Sequence, residues 1–190
     1  LVDESFIEFA SGDPSPSVMD MIFDFPNLIV LKSLSKIYGV PGWRLGYAAS
    51  GNRDVTASLR SDVPIWSINS LAQYFLEELG SYQQQFAASC AGVRHATQSL
   101  FRGLQTVSYL RPYPTQGNFV LCQLLPGFTS AELTARLFDE CKILINDCGG
   151  KYGLDGRFIR VASRTEEDNA KFIQDLHSLK VAFPAEQQIP

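Results

Sequence analysis

Residues 27–47, NLIVLKSLSKIYGVPGWRLGY, constrain this chain more than any other stretch. Leu28-Ile29-Val30-Leu31 is a continuous apolar run, short enough for a strand buried in a parallel sheet. It gives way to small hydroxyl residues, Ser33 and Ser35, and then to Lys36. Gly39, Pro41 and Gly42 break any helix after that lysine. Arg44 and a second short apolar run, residues 45–49, complete the stretch. A lysine just past the carboxyl end of a buried strand stands where open α/β sheets place their chemistry.

The rest of the chain alternates strands with helices. Leu1-Val2 reads as the end of a parallel strand with Asp3 at its carboxyl end. Residues 18–25 read as a short helix capped by Ser17 and ended by Pro26. Residues 45–50 form a third strand. Helices follow over 54–62, capped by Asn52 or Asp54, and over 67–79, with Gly80 as a stop. A long helical pattern runs over 82–106, and the domain boundary falls there. Beyond it come strands at 110–113, 118–124, 143–145 and 157–162. Helices cover 130–141, capped by Thr129 or Ser130, and 166 to about 181, capped by Thr165. The fold class is α/β in the first part and α+β in the second.

Composition narrows the function. Hydrophobic residues make up 45% of the 190 and charged residues 19%, enough apolar material for a buried core. A net charge of -4 with no basic-aromatic stripe argues against a nucleic-acid surface. No apolar stretch approaches the roughly 20 residues that span a bilayer. Cys90, Cys122, Cys141 and Cys148 form no CxxC pair, and His95 and His177 are isolated, so no metal site is expected. Four reduced cysteines fit a cytoplasmic protein.

Lys36 carries the sharpest hypothesis. An amine attacks a carbonyl only when unprotonated, and burial or a cationic neighbour favours that form. Ser33 and Ser35 offer hydroxyls to an anion, and Arg44 offers a planar charged fork. The grouping suits pyridoxal phosphate, which has an aldehyde for the lysine and a phosphate for the others. S-x-S-K near an arginine is also a common surface pattern. Asp3 strengthens the cofactor reading, because a carboxylate beside the pyridine nitrogen keeps that nitrogen protonated and the ring an electron sink. Its other reading is a turn or cap aspartate.

Three motifs then carry a resemblance: D-E-S-F at residues 3–6, L-K-S-L-S-K at 31–36 and P-G-W-R-L-G-Y at 41–47. Together they resemble the fold-type I pyridoxal-phosphate enzymes of the class I/II aminotransferase superfamily. Within it they look like the branch of histidinol-phosphate aminotransferase and threonine-phosphate decarboxylase. The resemblance implies that Lys36 is the Schiff-base lysine and Asp3 the partner of the pyridinium nitrogen. It also implies that Ser33, Ser35 and Arg44 bind the cofactor phosphate. Residues 1–88 would be the remainder of the cofactor-binding large domain, and 89–190 the small C-terminal domain.

G-N-F-V-L at 117–121 and I-R-V-A-S-R at 159–164 resemble strands of the family's small domain. By that match Arg160 binds the substrate carboxylate. Phe6, P-I-W-S-I-N at 64–69 and the loop and strand at 148–164 look more like the decarboxylase. That match adds Asn69, Arg157 and Arg164 as substrate-binding residues, and plain surface charge is the alternative for the two arginines. The resemblance implies a decarboxylase acting on a phosphorylated amino acid, most like threonine-phosphate decarboxylase, with a histidinol-phosphate type aminotransferase as the alternative. It further implies a homodimer. The family's glycine/serine phosphate turn, ring-stacking aromatic and oxygen-binding asparagine have no candidate here, so residues 1–190 alone are expected to be inactive.

Overall fold

The computed structural model describes residues 1–12 and 16–179. They divide into two compact units, one over residues 1–91 and one from residue 92 onward.

Asp3 ends the first strand, β1 (Val2–Asp3), which pairs in parallel with β2 (Val30–Ser33). β2 pairs antiparallel with β3 (Gly46–Ala49), so the sheet of this unit has the order β1-β2-β3. β2 begins two residues later than the apolar run at 28–31, and of that run only Val30 is fully buried. Leu34, Ile37 and Leu45 are buried around the turn that joins β2 to β3. Tyr38 stacks on Phe86 at 4.3 Å between ring centroids, and Phe75 meets Tyr38 and Trp43 edge-on. These aromatic pairs pin the residues after Lys36 to the helices of the same unit.

The helix expected over residues 18–25 is replaced by a single 3-10 turn, Met19–Met21. Ser17 does not cap a full helix. Its hydroxyl donates to the buried Glu4 carboxylate at 2.8 Å, and Val18 N–H donates to the same group at 2.7 Å. A segment of eight residues closed by Pro26 has little length over which to repay the cost of helix nucleation, so the Glu4 anchor prevails.

α1 (Arg53–Asp62) starts at Asn52, whose side chain accepts from two backbone N–H groups. α2 (Ser70–Glu78) is shorter than expected and is capped by Asn69. Gly80 does not stop the chain. It lies in a 3-10 turn, Leu79–Tyr82, that runs straight into α3 (Gln83–Gln105). Between α1 and α2 Trp66 adopts a left-handed backbone, φ 59°, and is 94% exposed. Ile65, Leu71 and Tyr74 are exposed beside it in sequence, and Phe23 is exposed before β2.

The second unit has one antiparallel sheet in the order β4-β5-β7-β6. Its strands are β4 (Leu110–Pro112), β5 (Phe119–Leu124), β6 (Asn146–Asp147) and β7 (Phe158–Ala162). Alternation is clean on β5, where Val120, Cys122 and Leu124 are buried and their neighbours are not. Those residues join Ile159 and Val161 in a core with Leu100 and Leu104 of α3, Leu133 and Leu137 of α4 (Ser130–Cys141), and Phe172 and Leu176 of α5 (Glu166–Ser178). Burial pushes the Cys122 thiol up to about 12, which leaves it chemically inert. Thr129 and Glu132 form a reciprocal capping box at the start of α4.

The strand expected at 143–145 lies three residues later, at β6. Lys142 ends α4 in a left-handed conformation, and Ile143 N–H still bonds back to Leu137 O at 3.0 Å. That N–H is closing the helix and is not free for a ladder. The expected end of the last helix, residue 181, lies outside the described residues. No described helix is long and apolar enough to cross a membrane.

Candidate active site

The carboxyl ends of β1 and β2 bring four of the expected residues together. Asp3, Ser33, Ser35 and Arg44 line one open cleft of about 360 Å³, with Ser5, Lys32 and Tyr47. Parallel pairing places Asp3 opposite Leu31, two residues before Ser33. The β2–β3 turn brings Arg44 back to the same end, with its backbone at φ 54°. A left-handed backbone at a non-glycine residue costs energy and is held here by the fold on both sides.

Arg44 spends one guanidinium N–H on Pro41 O at 3.2 Å. The remaining donors of its five face no protein acceptor among the described residues. Ser33 Oγ accepts from Ser35 N–H at 3.4 Å, and Ser35 is buried. Gly46 lets β3 lie close against β2 at this point. A cationic fork, two hydroxyls and a backbone turn in one cleft form a donor set that matches a phosphate monoester. An acid at the edge of the same cleft matches a protonated ring nitrogen. The residues present therefore fit the phosphate and pyridine groups of pyridoxal phosphate.

Asp3 is held as a carboxylate. The Ser5 hydroxyl donates to Asp3 Oδ1 at 2.5 Å and Ser5 N–H donates to the same oxygen at 2.9 Å. These bonds push the Asp3 carboxyl below its usual range, first through the hydroxyl and then through the N–H, with the Lys36 charge adding in the same direction.

Lys36 stands apart from the residues that line the cleft. It is exposed, and its Nζ lies 5.9 Å from the centroid of the Phe6 ring. A second lysine is nearby in sequence. Lys32 lines the cleft and forms an ion pair with Glu8. That pair occupies the Lys32 amine.

In the second unit Arg160 and Arg164 share a cleft of about 610 Å³ with Asn146, Lys142 and Lys171. Arg160 lies directly opposite Asn146 in the β6–β7 pairing and opposite Leu121 of β5. It is exposed, with its guanidinium 5.2 Å from the centroid of Phe119. Stacking on that ring orients the fork while leaving its N–H groups available. Arg164 donates to Asp168 at 2.9 Å across the first turn of α5. Arg157 does not line this cleft. It donates to Asp155 at 2.7 Å. Asn69 is committed at both ends of its amide. Its oxygen caps α2 at Ala72 N, and its nitrogen donates to Trp43 O at 3.1 Å.

Three participants were missed by sequence reasoning. Ser5 could have been found from the Asp-x-Ser spacing, which places a serine N–H on the aspartate two residues earlier. The Lys32–Glu8 pair spans 24 residues and leaves no local signal. Asn146 faces Arg160 only because β6 falls three residues later than expected. Among the described residues no group of three or more His, Cys, Asp or Glu could hold a metal.

Known proteins resemble the chain in sequence and in fold. The sequence is 39% identical over 170 residues to the CMP-5'-(3-aminopropyl)phosphonate synthase of Streptomyces rubellomurinus, covering 89% of this chain and 27% of that protein. It is 34% identical to an L-serine phosphate decarboxylase of Campylobacter jejuni, covering 93% of this chain and 46% of the relative. In structure it matches the histidinol-phosphate aminotransferase of Clostridium acetobutylicum with a TM-score of 0.86 at 27% identity, over 93% of this chain and 52% of that one. The chain thus spans about half the length, or less, of the relatives it matches. The profile of the aminotransferase class I and II family matches residues 1–176, and the chain belongs to that family.

Proposed function

We propose that the full-length protein is a pyridoxal-phosphate enzyme acting on a small phosphorylated amino acid, most like a threonine- or serine-phosphate decarboxylase. The observation that carries the cofactor half is the single cleft lined by Asp3, Ser33, Ser35 and Arg44 at the carboxyl ends of β1 and β2. The decarboxylase half is supported by the relative from Campylobacter jejuni and by a decarboxylase from Sulfurospirillum multivorans that matches with a TM-score of 0.85 at 30% identity.

In this reading Arg44 and the Ser33 and Ser35 hydroxyls hold the phosphate, and Asp3 holds the ring nitrogen protonated. Lys36 bears the cofactor and afterwards moves protons at Nζ. Bound there, pyridoxal phosphate supplies the electron sink for breaking a bond to the substrate Cα. Arg160 grips the substrate carboxylate with two parallel hydrogen bonds, which fixes the plane in which the carboxylate lies. Arg164 adds a second cation for the substrate phosphate. The positions in which Arg160 and Arg164 would hold the carboxylate and the phosphate would select decarboxylation or transamination. Arg157 and Asn69 act at most through the backbone they hold. A homodimer in the cytoplasm completes the proposal and rests on the family resemblance.

Transamination is the second reading, supported by the likeness to the Clostridium acetobutylicum aminotransferase. Incubation of the full-length protein with threonine phosphate or serine phosphate separates the two. The decarboxylase reading expects carbon dioxide and the corresponding amino-alcohol phosphate without any 2-oxo acid. Keto-acid formation that needs a 2-oxo acid acceptor, with no carbon dioxide, overturns it.

A further inference from the structure

Ser5 lies between the acid and the phosphate cradle and touches both. It is 8% exposed and follows β1 by two residues. Its Oγ accepts from Ser33 N–H on β2 at 2.9 Å and donates to Asp3 Oδ1 at 2.5 Å. The direction of this chain is forced. A backbone N–H can only donate, and a hydroxyl has one proton to give, so the Ser5 proton points at the carboxylate. Ser5 N–H goes to the same Oδ1 at 2.9 Å. Both protein donors therefore use one carboxylate oxygen, and among the described residues none donates to Asp3 Oδ2.

We propose that Ser5 is a positioning residue that fixes the Asp3 carboxylate through Oδ1, presents Oδ2 to the cofactor's protonated ring nitrogen, and ties that acid to the strand bearing Ser33. This deepens the reading of Asp3 given above and rests on it. The bond from Ser33 N–H polarises the Ser5 hydroxyl and strengthens its donation to Asp3. Cofactor phosphate and cofactor ring are thereby referred to one hydrogen-bonded unit, so the separation between their two grips is set by β1–β2 pairing.

Other charged groups surround Asp3. Lys36 follows β2, Lys32 with its partner Glu8 flanks the same cleft, and Arg44 and Tyr47 line it from the β3 side. All of them remain when Ser5 is changed, so a change in Asp3 titration on altering Ser5 isolates its hydroxyl.

The test uses the full-length protein. The Asp3 carboxyl is titrated by isotope-edited NMR without cofactor, and cofactor affinity is measured separately by fluorescence. Ser5→Ala is expected to move the Asp3 midpoint upward and to weaken cofactor binding roughly tenfold, the scale of one hydrogen bond to a charged group. Ser5→Thr keeps the hydroxyl and restores both. Ser5→Cys, with a weak donor, falls between and serves if the alanine variant loses its near-ultraviolet circular dichroism. In an Asp3→Asn background, changing Ser5 is expected to have no further effect on affinity. An unmoved Asp3 midpoint in Ser5→Ala or Ser5→Cys overturns the proposal. A moved midpoint with Asp3→Asn binding cofactor as tightly as wild type shows instead that the reading of Asp3 is at fault, and the positioning role falls with it.

Discussion

Gly46 and Lys32 lie so close across the β2–β3 pairing that a Cβ on Gly46 would stand 2.7 Å from the Lys32 carbonyl oxygen. The same Cβ would be 3.4 Å from Ser33 Cα. The obstacle is backbone, which cannot rotate away. Gly46→Ala is therefore expected to push β3 off β2, cost about 1–3 kcal/mol of stability and weaken cofactor binding, because Ser33 and Arg44 sit on either side of the gap. Chemical denaturation and a cofactor titration check both effects.

Arg44 owes its role to shape as well as charge. Among the described residues only one of its N–H groups is used, on Pro41 O. Arg44→Lys keeps the charge and loses the fork, while the left-handed backbone at φ 54° makes the same demand on either residue. Cofactor affinity is expected to fall roughly tenfold or more while the fold persists. Equilibrium binding followed by fluorescence measures this.

Arg157, Arg160 and Arg164 of the second unit are expected to separate in steady-state kinetics. Arg160 is stacked on Phe119 and forms no ion pair among the described residues, and Arg160→Lys is expected to raise KM by roughly 10- to 100-fold, since the paired hydrogen bonds to a carboxylate are lost. Arg164→Ala is expected to act more weakly, because Asp168 already holds its guanidinium. Arg157→Ala is expected to leave kinetics near wild type, since Arg157 pairs with Asp155 outside the cleft.

Asp147 makes the second unit sensitive to acid. The buried Ser130 hydroxyl donates to Asp147 Oδ1 at 2.6 Å and Gly149 N–H donates to the same atom at 2.8 Å. These bonds, the hydroxyl first, hold the Asp147 carboxyl below its usual range. A carboxyl depressed in the folded state stabilises the fold above its unfolded value, about 3.9, and that contribution is lost as the pH falls through the lower folded value. Melting temperature is thus expected to drop with falling pH below about 4, and Ser130→Ala is expected to flatten that dependence. Thermal melts between pH 7 and pH 2 decide it.

Much of this was legible in sequence because it is local. The Asn52, Thr129 and Thr165 caps all report interactions within four residues. What sequence missed is set by contacts distant along the chain. Glu4 takes the N–H and hydroxyl donors that would have started a helix at Ser17, 13 residues away. The Leu137 carbonyl keeps Ile143 out of a strand through a helix-closing bond. Lys32 and Glu8 resemble any two charged residues until β2 places one beside the other. Within the site, the cleft residues could be read from motif spacing, whereas the exposed position of Lys36 over Phe6 depends on the turn after β2, which no periodicity describes.

The account stands on Lys36 as the lysine that bears the cofactor. Borohydride reduction of the full-length protein loaded with pyridoxal phosphate, followed by peptide mass spectrometry, tests this directly. The predicted result is one added phosphopyridoxyl mass, on the peptide containing Lys36, absent in Lys36→Ala. Labelling of Lys32, or of no residue in 27–47, would contradict it.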